Sequence, residues 1–417
     1  MDIYLVGGAV RDQLLGYPYS EKDWVVVGAS PQAMSELGFT PVGKDFPVFL
    51  HPETKEEYAL ARTERKTGRG YAGFHFDCAS DISLEDDLRR RDLTINAIAQ
   101  TDTGQLVDPY GGAHDIENRV LRHVSEAFSE DPVRILRVAR FAARYHHMGF
   151  TVAAQTMQLM TEMVETGEAD HLVAERVWKE MSRALTEKNP EVFIQTLKDC
   201  GALAKTMPEI EALFGVPQPA KHHPEIDTGL HTLMVLHQAC RLSDSPTVRF
   251  AALMHDLGKA LTPEQDWPRH HGHEKTGLKP IQSLCQRLAV PNDYRDLALL
   301  TCEFHTHAHR AQELKPATIF KLFKRLDAQR RPERFEQFLL ACEADAKGRT
   351  GFEQCEYPQA TFLQGALDAC NSVNPKDLLA AGFSGAQLGQ QLERQRIAAI
   401  AEYKHNVSTT NELSRKS

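Results

Sequence analysis

Two acidic side chains near the N-terminus have the types and spacing of a divalent-metal site. Glu21 and Asp23 are separated by Lys22 and directly precede the apolar run 24–27. Alternate residues of a strand point to one face, so both carboxylates can share one side of a sheet edge. Bound Mg²⁺ would there activate an attacking hydroxyl and neutralise a departing pyrophosphate. The alternative for so short a pattern is a solvated acidic turn.

A glycine turn upstream favours the metal site over the acidic turn. Gly7 and Gly8 follow an apolar stretch and open a predicted helix that carries Arg11. Glycines let backbone N–H groups approach an anion, and a helix N-terminus favours negative charge. The Arg11 guanidinium can donate two hydrogen bonds to phosphate oxygens. Together the two features predict a pocket for a phosphorylated substrate beside Mg²⁺.

A second group of residues with metal-ligand chemistry lies in the histidine-rich stretch 225–330. His255 and Asp256 are adjacent and are followed by Gly258 and Lys259, and further histidines lie on both sides of this sequence. Imidazole suits transition metals, and a carboxylate can complete the coordination sphere. A single histidine is usually structural, but a cluster around one His-Asp pair indicates a metal-dependent site.

The elements that must position these residues differ between the two ends of the chain. From about residue 118 onward the apolar residues follow helical periodicity, whereas the first part mixes short strands and helices. We therefore predict an α+β fold with a small mixed sheet in an N-terminal head and only helices beyond it. The predicted strands are 3–6, 24–27, 48–50 and 58–61, and early helices are 9–15 and 31–37. The predicted divisions are a head at 1–117, a neck at 118–224, a histidine-rich domain at 225–330 and a tail at 331–417.

Composition excludes several classes of protein. The chain has 417 residues, of which 42% are hydrophobic and 25% are charged, so it is not largely disordered. It has no apolar run of the ~18 residues that a membrane span needs and no basic, cleavable leader. The eight cysteines include no C-x-x-C pair, which indicates reduced thiols. We expect a cytoplasmic protein, monomeric or homodimeric. Its net charge of −9 means that nucleic acid could bind only at a local basic groove.

The glycine turn followed by paired carboxylates resembles the nucleotidyltransferase superfamily that includes DNA polymerase beta. A second sequence, 89–97, narrows the resemblance to class II tRNA nucleotidyltransferases (CCA-adding enzymes) and bacterial poly(A) polymerases. In that family this element separates ribose from deoxyribose and contacts the triphosphate. Asp92 and Asn96 can hydrogen-bond ribose hydroxyls, and Arg91 can pair with a phosphate. The resemblance implies a polymerase-beta-type head with Mg²⁺ as cofactor.

A third sequence, 130–144, is similar to the family's E-D-x-x-R element. The resemblance makes Asp131 and Arg134 the readers of the base. Cytosine and adenine both present an amine donor beside a ring-nitrogen acceptor, so a carboxylate and a guanidinium can select both. Arg137 and Arg140 continue the same cationic stripe at helical spacing. The residues expected to hold triphosphate and sugar are Gly8, Arg11, Arg91, Arg137 and Arg140.

Two further features bear on the activity. The sequence 57–71 resembles the family's flexible loop, which is implicated in switching from C to A and favours addition of the full CCA. Glu21 departs from the family, which usually has Asp at the first metal position. The extra methylene moves the carboxylate by about 1 Å, although Glu can still bind Mg²⁺.

The His-Asp pair resembles the HD metal-dependent phosphohydrolases, which are all-helical. The resemblance implies that His231, His255, Asp256 and His305 bind metal. One of His270, His271 and His273 is a further alternative, and Asp296 is an alternative last ligand. A head of this kind with an HD domain is similar to the bacterial CCA-adding enzymes that carry one. This implies tRNA, CTP and ATP as substrates, with 2′,3′-cyclic phosphodiesterase, 2′-nucleotidase and phosphatase activities supported by a transition metal such as Ni²⁺.

Two other functions remain open at this stage. A bacterial poly(A) polymerase shares the head motifs but usually carries an N-terminal extension and a basic tail. A tRNA-binding phosphohydrolase with an inactive head is the alternative that Glu21 leaves open. The products made from tRNA lacking CCA distinguish these hypotheses.

Overall fold

The structure is a computed structural model that describes residues 1–19, 21–42, 48–66, 74–77 and 81–414. The chain forms two compact units, one of residues Met1–Thr206 and one of residues Met207–Ser417. Of the sequence 57–71, the part 67–71 lies outside the described residues. Among the described residues, no helix has both the length and the apolar character needed to cross a membrane.

A mixed seven-stranded sheet forms the framework of the N-terminal unit. Its strand order is β3-β4-β5-β2-β1-β8-β9. The β2–β5 pair is parallel and the other neighbours are antiparallel. Two small pairs, β6–β7 and β10–β11, lie outside it. The strands are β1 Asp2–Val6, β2 Asp23–Val27, β3 Thr40–Pro41, β4 Val48–Leu50, β5 Glu57–Leu60, β6 Thr63–Lys66, β7 Phe74–Asp77, β8 Ala99–Gln100, β9 Leu106–Val107, β10 Val120–Leu121 and β11 Thr151–Val152.

Alternation along β2 separates its two faces. Val25 packs with Val6 and Ala61 in one buried cluster, whereas Val26 packs with Leu60 in another on the opposite face. Asp23 is two residues from Val25 and is therefore on the Val25 face, at the end of the strand. The apolar run thus anchors the strand in the core and presents its acidic end at the sheet edge.

Helices surround the sheet and continue beyond it in the N-terminal unit. Proline or a capping serine begins several of them: Ser83 forms a capping box with Asp86 at α3, and Pro190 is the first residue of α8. The helices are α1 Gly8–Leu15, α2 Pro31–Glu36, α3 Leu84–Arg89, α4 Gly112–Asn118, α5 Val133–Tyr145, α6 Ala154–Glu165, α7 Ala174–Ala184, α8 Pro190–Asp199 and α9 Ala202–Thr206, with short 3₁₀ turns at Thr94–Asn96, Glu126–Glu130, His146–Met148 and Glu168–His171.

The C-terminal unit is helical throughout the part that the structure describes. Proline is the first residue of α12, α16, α17, α18 and α19, where its missing N–H costs no intrahelical bond. The helices are α10 Pro208–Glu211, α11 Thr228–Leu242, α12 Pro246–Met254, α13 His273–Thr276, α14 Leu278–Arg287, α15 Asn292–His309, α16 Pro316–Leu326, α17 Pro332–Lys347, α18 Pro358–Asn371, α19 Pro375–Ala380 and α20 Gly385–Ser414, with 3₁₀ turns at Leu257–Leu261, Glu264–Asp266 and Ala311–Glu313.

The predicted fold class is confirmed: a mixed sheet at the N-terminus is followed by helical regions. The predicted strand 48–50 is found with those bounds, and the other three predicted strands are each displaced by one residue at one or both ends. The predicted helices 9–15 and 31–37 also differ from the observed ones by one residue at one end. The division into four segments stays a prediction.

Gly112, the first residue of α4, tests how closely that helix must approach the turn Thr94–Asn96. A Cβ at this position would lie 2.2 Å from Thr94 O and 2.7 Å from Ile98 Cγ1. We expect Gly112→Ala to destabilise the N-terminal unit by about 3 kcal/mol, because a backbone atom must move to relieve the clash. Guanidinium unfolding measures the change. The control is Gly389→Ala in α20, where a Cβ meets no atom within 4 Å. Equal stability of both variants would contradict the prediction.

Candidate functional sites

The sheet edge of the N-terminal unit opens into a polar cavity of about 540 Å³. It contains most of the predicted head residues: Gly8, Arg11, Asp23, Arg91, Asp131, Arg134 and Arg137. Glu21 and Arg140, which were also predicted, are not among the lining residues. Other lining residues include Gly7, Glu57, Asp92, Asn96, Phe141 and Arg176. Cations, carboxylates and a glycine turn therefore meet at one place.

The glycine turn forms the end of this cavity where α1 begins. Gly7 has φ +66°, a left-handed conformation, and a Cβ there would lie 2.9 Å from Arg91 Nη1. The backbone conformation therefore favours glycine, and a side chain here would also displace the Arg91 guanidinium. No side chain caps the start of α1, so the backbone N–H groups of its first turn can face the cavity. Unpaired N–H groups at a helix start attract anions.

Three carboxylates, those of Glu21, Asp23 and Glu57, lie near the start of β2. Asp23 and Glu57 are direct partners in the parallel β2–β5 register, and both line the cavity. Burial raises the pKa of Asp23, the charge of Glu21 raises it further, and Arg91 and Arg11 oppose the shift. Acidic groups therefore lie together where β2 begins, and Arg91 and Arg11 partly offset their charge. Glu57 was not predicted as a site residue, although its position at the start of an alternating strand is a recognisable signal.

A chain of hydrogen bonds fixes the side chains behind the cavity. Arg11 Nη1 donates to Asn96 Oδ1 at 2.6 Å, and Asn96 Nδ2 donates to Asp92 Oδ1 at 2.8 Å. Arg137 Nε donates to Asp92 Oδ2 at 2.7 Å. Burial alone would raise the pKa of Asp92, but Arg137 and Asn96 hold it well below its usual range. Asp92 is therefore ionised, and both of its oxygens hold neighbours in place.

The chain of hydrogen bonds continues on the other side of Arg11. Asp12 accepts hydrogen bonds from Arg11 Nε at 2.8 Å and Nη2 at 2.9 Å, and from the Tyr145 hydroxyl at 2.8 Å. All three side chains are buried. The bidentate pair fixes the plane of the Arg11 guanidinium, which directs its Nη1 atom towards Asn96.

The two predicted base readers lie at and near the start of α5. Asp131 Oδ2 accepts a hydrogen bond from Arg176 Nη2 at 2.8 Å, and its Oδ1 accepts one from the Val133 N–H at 3.0 Å. Arg134 donates from Nη1 to Ala127 O at 2.6 Å and from Nη2 to Arg90 O at 2.7 Å. Backbone contacts and Arg176 therefore hold this carboxylate and this guanidinium in place, and both line the cavity.

The cationic stripe of α5 divides between two environments. Arg137 reaches the cavity, but Arg140 is buried and donates from Nε to Glu180 Oε2 at 2.6 Å. The structure thus brings Arg140 to Glu180 of α7 and leaves Arg137 beside Asp92. Arg176 and Glu180 were not predicted, because their partners are about 40 residues away and no local spacing connects them.

Arg90 and Arg91 are held by one buried carboxylate. Asp87, fully shielded from solvent, lies 2.7 Å from Arg90 Nη2 and 3.1 Å from Arg91 Nη2. Burial alone would raise the pKa of Asp87, but the two guanidinium groups lower it below its usual range. Arg91 lies close to the glycine turn and lines the cavity, so Asp87 fixes this side of the cavity through its ion pair with Arg91.

Buried imidazole and carboxylate groups converge in the C-terminal unit. His231 of α11 and His255 after α12 meet Asp345 of α17: His231 Nε2 is 3.1 Å and His255 Nε2 is 3.5 Å from Asp345 Oδ1. Asp256 Oδ2 is 3.1 Å from His255 Nε2. Among the described residues His231, His255 and Asp345 form one possible metal-binding group.

The surroundings orient these groups as ligands. His231 Nδ1 faces Gly348 O at 3.0 Å, and His255 Nδ1 faces Ala252 O at 2.7 Å. A neutral imidazole that donates from Nδ1 presents the lone pair of Nε2, the form in which histidine binds metal. Burial lowers the pKa of His255, but Asp256 and Asp345 together raise it to about 10. Asp256 and Asp345 therefore favour positive charge beside His255, which a proton or a metal ion would supply.

The predicted alternatives fall in different places. His273 lies 3.3 Å from Asp256 Oδ1 and, together with His305, forms a further possible metal-binding group with that carboxylate. His270 is hydrogen-bonded to Thr262 Oγ1 and Pro217 O, and His271 is exposed. Asp296 is half-exposed and paired with Arg295 at 2.8 Å, outside the cluster.

Asp345 was missed by sequence analysis. It follows His255 by 90 residues, in an alanine-rich helix that reads as core. His309 Nε2 donates to its second oxygen at 2.7 Å, and Tyr357 contacts His309 Nδ1 at 3.0 Å. The carboxylate is thereby held with Oδ1 turned towards His231.

The cluster borders a second cavity of about 630 Å³. Lys259 Nζ is 2.6 Å from Asp256 Oδ2, and Arg349 also lines the cavity. Phe352 and Tyr357 contribute aromatic faces. Cations suit a phosphate and aromatic rings suit a base, so the cavity has the chemistry to accept a nucleotide-like phosphoester.

Comparison with known proteins finds three family models that match parts of the chain. Residues 3–122 match the family model of the Poly A polymerase head domain, and residues 228–329 match that of the HD domain. Residues 149–214 match the model described as Probable RNA and SrmB- binding site of polymerase A.

Two curated relatives are similar over nearly the whole chain, and both are called multifunctional CCA proteins. The one from Teredinibacter turnerae is 61% identical over 400 residues, covering 96% of this chain and 97% of the relative. The one from Hahella chejuensis is 58% identical over 406 residues, covering 97% and 96%.

Solved structures of CCA-adding enzymes share the fold. The Bacillus stearothermophilus enzyme in complex with CTP has a TM-score of 0.62 at 21% identity, covering 100% of this chain and 95% of its own. The Thermotoga maritima enzyme complexed with tRNA_CCA has a TM-score of 0.63 at 20% identity, with 98% and 91% covered.

Asp87 gives a pH-dependent contribution to stability. Its pKa is lower in the folded protein than the ~3.9 of an unfolded chain, so the contribution is present above pH ~4 and is lost as the pH falls through the folded pKa. We expect Asp87→Asn to cost about 3 kcal/mol at pH 7, because two arginines lose a buried partner. The gap from the wild type should narrow at acid pH.

Unfolding by guanidinium at pH 7 and at lower pH measures this difference. Asp102→Asn, a substitution at an exposed turn, is the control and should leave stability unchanged at both pH values. A loss for Asp87→Asn that did not depend on pH would contradict the assigned ion pairs.

Proposed function

The chain belongs to the multifunctional CCA protein family, and from that membership and the two sites we propose that it adds and repairs the 3′-terminal CCA of tRNA. CTP and ATP are the nucleotide substrates, and no nucleic-acid template is used. The observation that carries the proposal is the single cavity in which the glycine turn, Asp23 and the Asp131–Arg134 pair meet. One pocket thus has the groups for phosphate, metal and base.

The carboxylates at the sheet edge suit Mg²⁺. Glu21 and Asp23 would hold the ion, and Glu57 is placed to assist, because hard carboxylate oxygens are the ligands that Mg²⁺ prefers. When bound, Mg²⁺ neutralises charge on the phosphates and activates the attacking hydroxyl. The first turn of α1, with Arg11 and Arg91, binds the triphosphate, which orients it towards the 3′-hydroxyl of tRNA.

Selection of the base is assigned to Asp131 and Arg134. The carboxylate accepts from the exocyclic amine of cytosine or adenine, and the guanidinium donates to the neighbouring ring nitrogen. Uracil and guanine present a carbonyl and an N–H at these places. The contacts of Arg134 to two backbone carbonyls and of Asp131 to Arg176 support this role, because a rigid pair discriminates better than a mobile one.

The central prediction concerns tRNA that lacks its CCA end. We expect the wild-type protein to add two C residues and one A when CTP and ATP are present, and only C residues with CTP alone. Asp23→Ala should reduce incorporation by roughly 10³-fold or more, because the ion loses a ligand. Denaturing gels of radiolabelled tRNA, with each nucleotide supplied separately, measure both results.

Lys22→Ala is the matched control. Lys22 lies beside Asp23 in sequence, but its ammonium is 3.6 Å from Glu56, and we expect full activity without it. Long A tracts without C would instead indicate a poly(A) polymerase. Unchanged C incorporation by Asp23→Ala would indicate an inactive head.

For the HD domain we propose phosphohydrolase activity on 2′,3′-cyclic phosphates, 2′-nucleotides and other phosphomonoesters. His231, His255, Asp256 and Asp345 fit a transition metal such as Ni²⁺, since imidazoles and carboxylates converge with their lone pairs inward. A bound ion polarises the phosphoester and activates water. Lys259 and Arg349 are placed to hold the phosphate. His305 belongs to a neighbouring group.

Replacement of Asp345 distinguishes the HD activity from nucleotide addition. We expect Asp345→Asn to lower hydrolysis of 2′,3′-cyclic AMP by about 10²-fold or more, because the cluster loses a carboxylate, while CCA addition stays unchanged. Asp296→Asn is the control and should retain both activities. Loss of hydrolysis in Asp296→Asn but not in Asp345→Asn would reverse the ligand assignment.

The remaining assignments follow from this function. We propose that the protein acts on tRNA in the cytoplasm, as a monomer or homodimer. We also propose that the chain divides at residues 117, 224 and 330 into head, neck, HD domain and tail.

A further inference from the structure

One side of the second cavity is built by a loop that follows the HD domain. The HD family model ends at residue 329, whereas much of the cavity lining comes from the end of α17 and from the loop 348–357 that leads to α18. This loop contributes Arg349, Phe352 and Tyr357 to the lining. The cavity therefore has a wall of aromatic and basic side chains that lies outside the HD family model.

Phe352 is an exposed aromatic residue on this loop. It is 39% exposed and lines the cavity, whereas Tyr357 is 8% exposed and its hydroxyl contacts His309 Nδ1 at 3.0 Å. Exposure of a phenylalanine gives up the stabilisation that burial of its ring would provide. Exposure alone does not indicate a ligand, because single exposed apolar residues are common on protein surfaces. The contacts that hold the Phe352 ring supply the further evidence.

A fixed guanidinium lies over the Phe352 ring. Arg349 Cζ is 4.6 Å from the ring centroid, a distance at which the cation is attracted by the ring. Arg349 Nε donates to Ala346 O at 3.0 Å, and its Nη1 donates to His222 O at 3.5 Å. Arg349 therefore supports the ring from one side. Because Phe352 also lines the cavity, the remaining surface of the ring is presented to a ligand there.

Hydrogen bonds of the loop hold Phe352 in position. The Phe352 N–H donates to Arg349 O at 2.9 Å, and the Cys355 N–H donates to Phe352 O at 2.9 Å. The Thr350 N–H donates to Glu225 Oε2 at 3.3 Å, which connects the loop to the segment before α11. The ring is therefore placed before a ligand arrives, so that stacking on it costs little conformational entropy.

From these contacts we propose that Phe352 is the platform on which the base of a nucleotide stacks while its phosphate is hydrolysed in this cavity. The proposal rests on the phosphohydrolase function above and adds a substrate preference, for nucleoside 2′-phosphates and 2′,3′-cyclic phosphates over phosphoesters without a base. A ring face accepts every base, since each base has a π-face of its own. The cavity of about 630 Å³ lies within the ~300–1,000 Å³ of small-molecule sites.

Hydrolysis of two matched substrates by the full chain loaded with Ni²⁺ tests the proposal. One substrate is 2′,3′-cyclic AMP, and the other is the cyclic phosphate of methyl riboside, which has the same phosphate but no base. We expect Phe352→Ala to lower kcat/KM for 2′,3′-cyclic AMP by about 10-fold, chiefly through a higher KM, because the base lies away from the reacting phosphate. For the substrate without a base, kcat/KM should stay unchanged.

Further variants separate stacking from packing. Phe352→Tyr keeps an aromatic ring and should behave as the wild type, whereas Phe352→Leu keeps apolar bulk without a π-face and should lose most of the preference for 2′,3′-cyclic AMP. Leu379→Ala, which replaces an exposed apolar residue of α19, is the matched control and should leave both substrates unchanged. CCA addition should be the same in every variant, since none of them is in the head.

Binding without turnover gives a second measurement. Calorimetry with 2′-AMP and the metal-free chain should show a dissociation constant about 10-fold larger for Phe352→Ala than for the wild type or Phe352→Tyr. Any 2′-AMP that binds in the head contributes equally to all of these variants, so the difference between them belongs to the second cavity.

The outcomes separate this proposal from the hydrolase function. An equal loss on both substrates, or equal affinities of wild type and Phe352→Ala for 2′-AMP, would overturn the base site and leave the hydrolase function in place. If the metal-loaded wild type hydrolysed neither substrate, the hydrolase function would fail, and the affinities for 2′-AMP alone would decide the base site. A loss confined to 2′,3′-cyclic AMP and absent in Phe352→Tyr would support stacking on Phe352.

Discussion

Charge that is removed from bulk water has to be matched within the protein, and in the head one chain of hydrogen bonds does this. It runs from Asp12 through Arg11 and Asn96 to Asp92 and Arg137. Each member fixes the next, so the guanidinium groups of Arg11 and Arg137 are positioned by the same set of hydrogen bonds. Burying such charges costs several kcal/mol per ion unless they are paired. The cavity is therefore preorganised by the same contacts that make its burial tolerable.

The buried His231–His255–Asp256–Asp345 cluster of the HD domain must also have its charge matched, but by groups other than arginine. Its carboxylates and imidazoles are deeply buried, but their lone pairs point at one another rather than at arginines. Backbone carbonyls at Nδ1 fix the rings, and His309 fixes Asp345. In the head, fixed side-chain cations compensate the carboxylates. In the HD domain Lys259 and His309 compensate part of this charge, and the proposed metal ion would compensate the rest, so we expect folding and metal uptake to be coupled there.

Local patterns in the sequence predicted much of this arrangement. The glycine turn, the strand after Asp23 and the arginine spacing of α5 each depend on residues within a few positions, and propensity and periodicity describe such features well. Arg176, Glu180 and Asp345 could not be found in this way. They reach their partners from helices 40 to 114 residues away, and nothing in the local spacing marks them. Arg140 shows the converse. Its spacing matches that of Arg137, but its partner is Glu180 of the neighbouring helix α7 rather than a residue of the cavity.

The alternation of β2 has a consequence for how this sequence can vary. Asp23 and Val25 occupy one face, while Trp24 and Val26 pack on the other. Insertion or deletion of a single residue within the strand would put an indole where the carboxylate stands and a carboxylate into the apolar layer. The position of the carboxylate at the cavity and the packing of the core therefore depend on the same alternation of side chains along β2. Point substitutions can separate the two properties, but changes in length at this strand cannot.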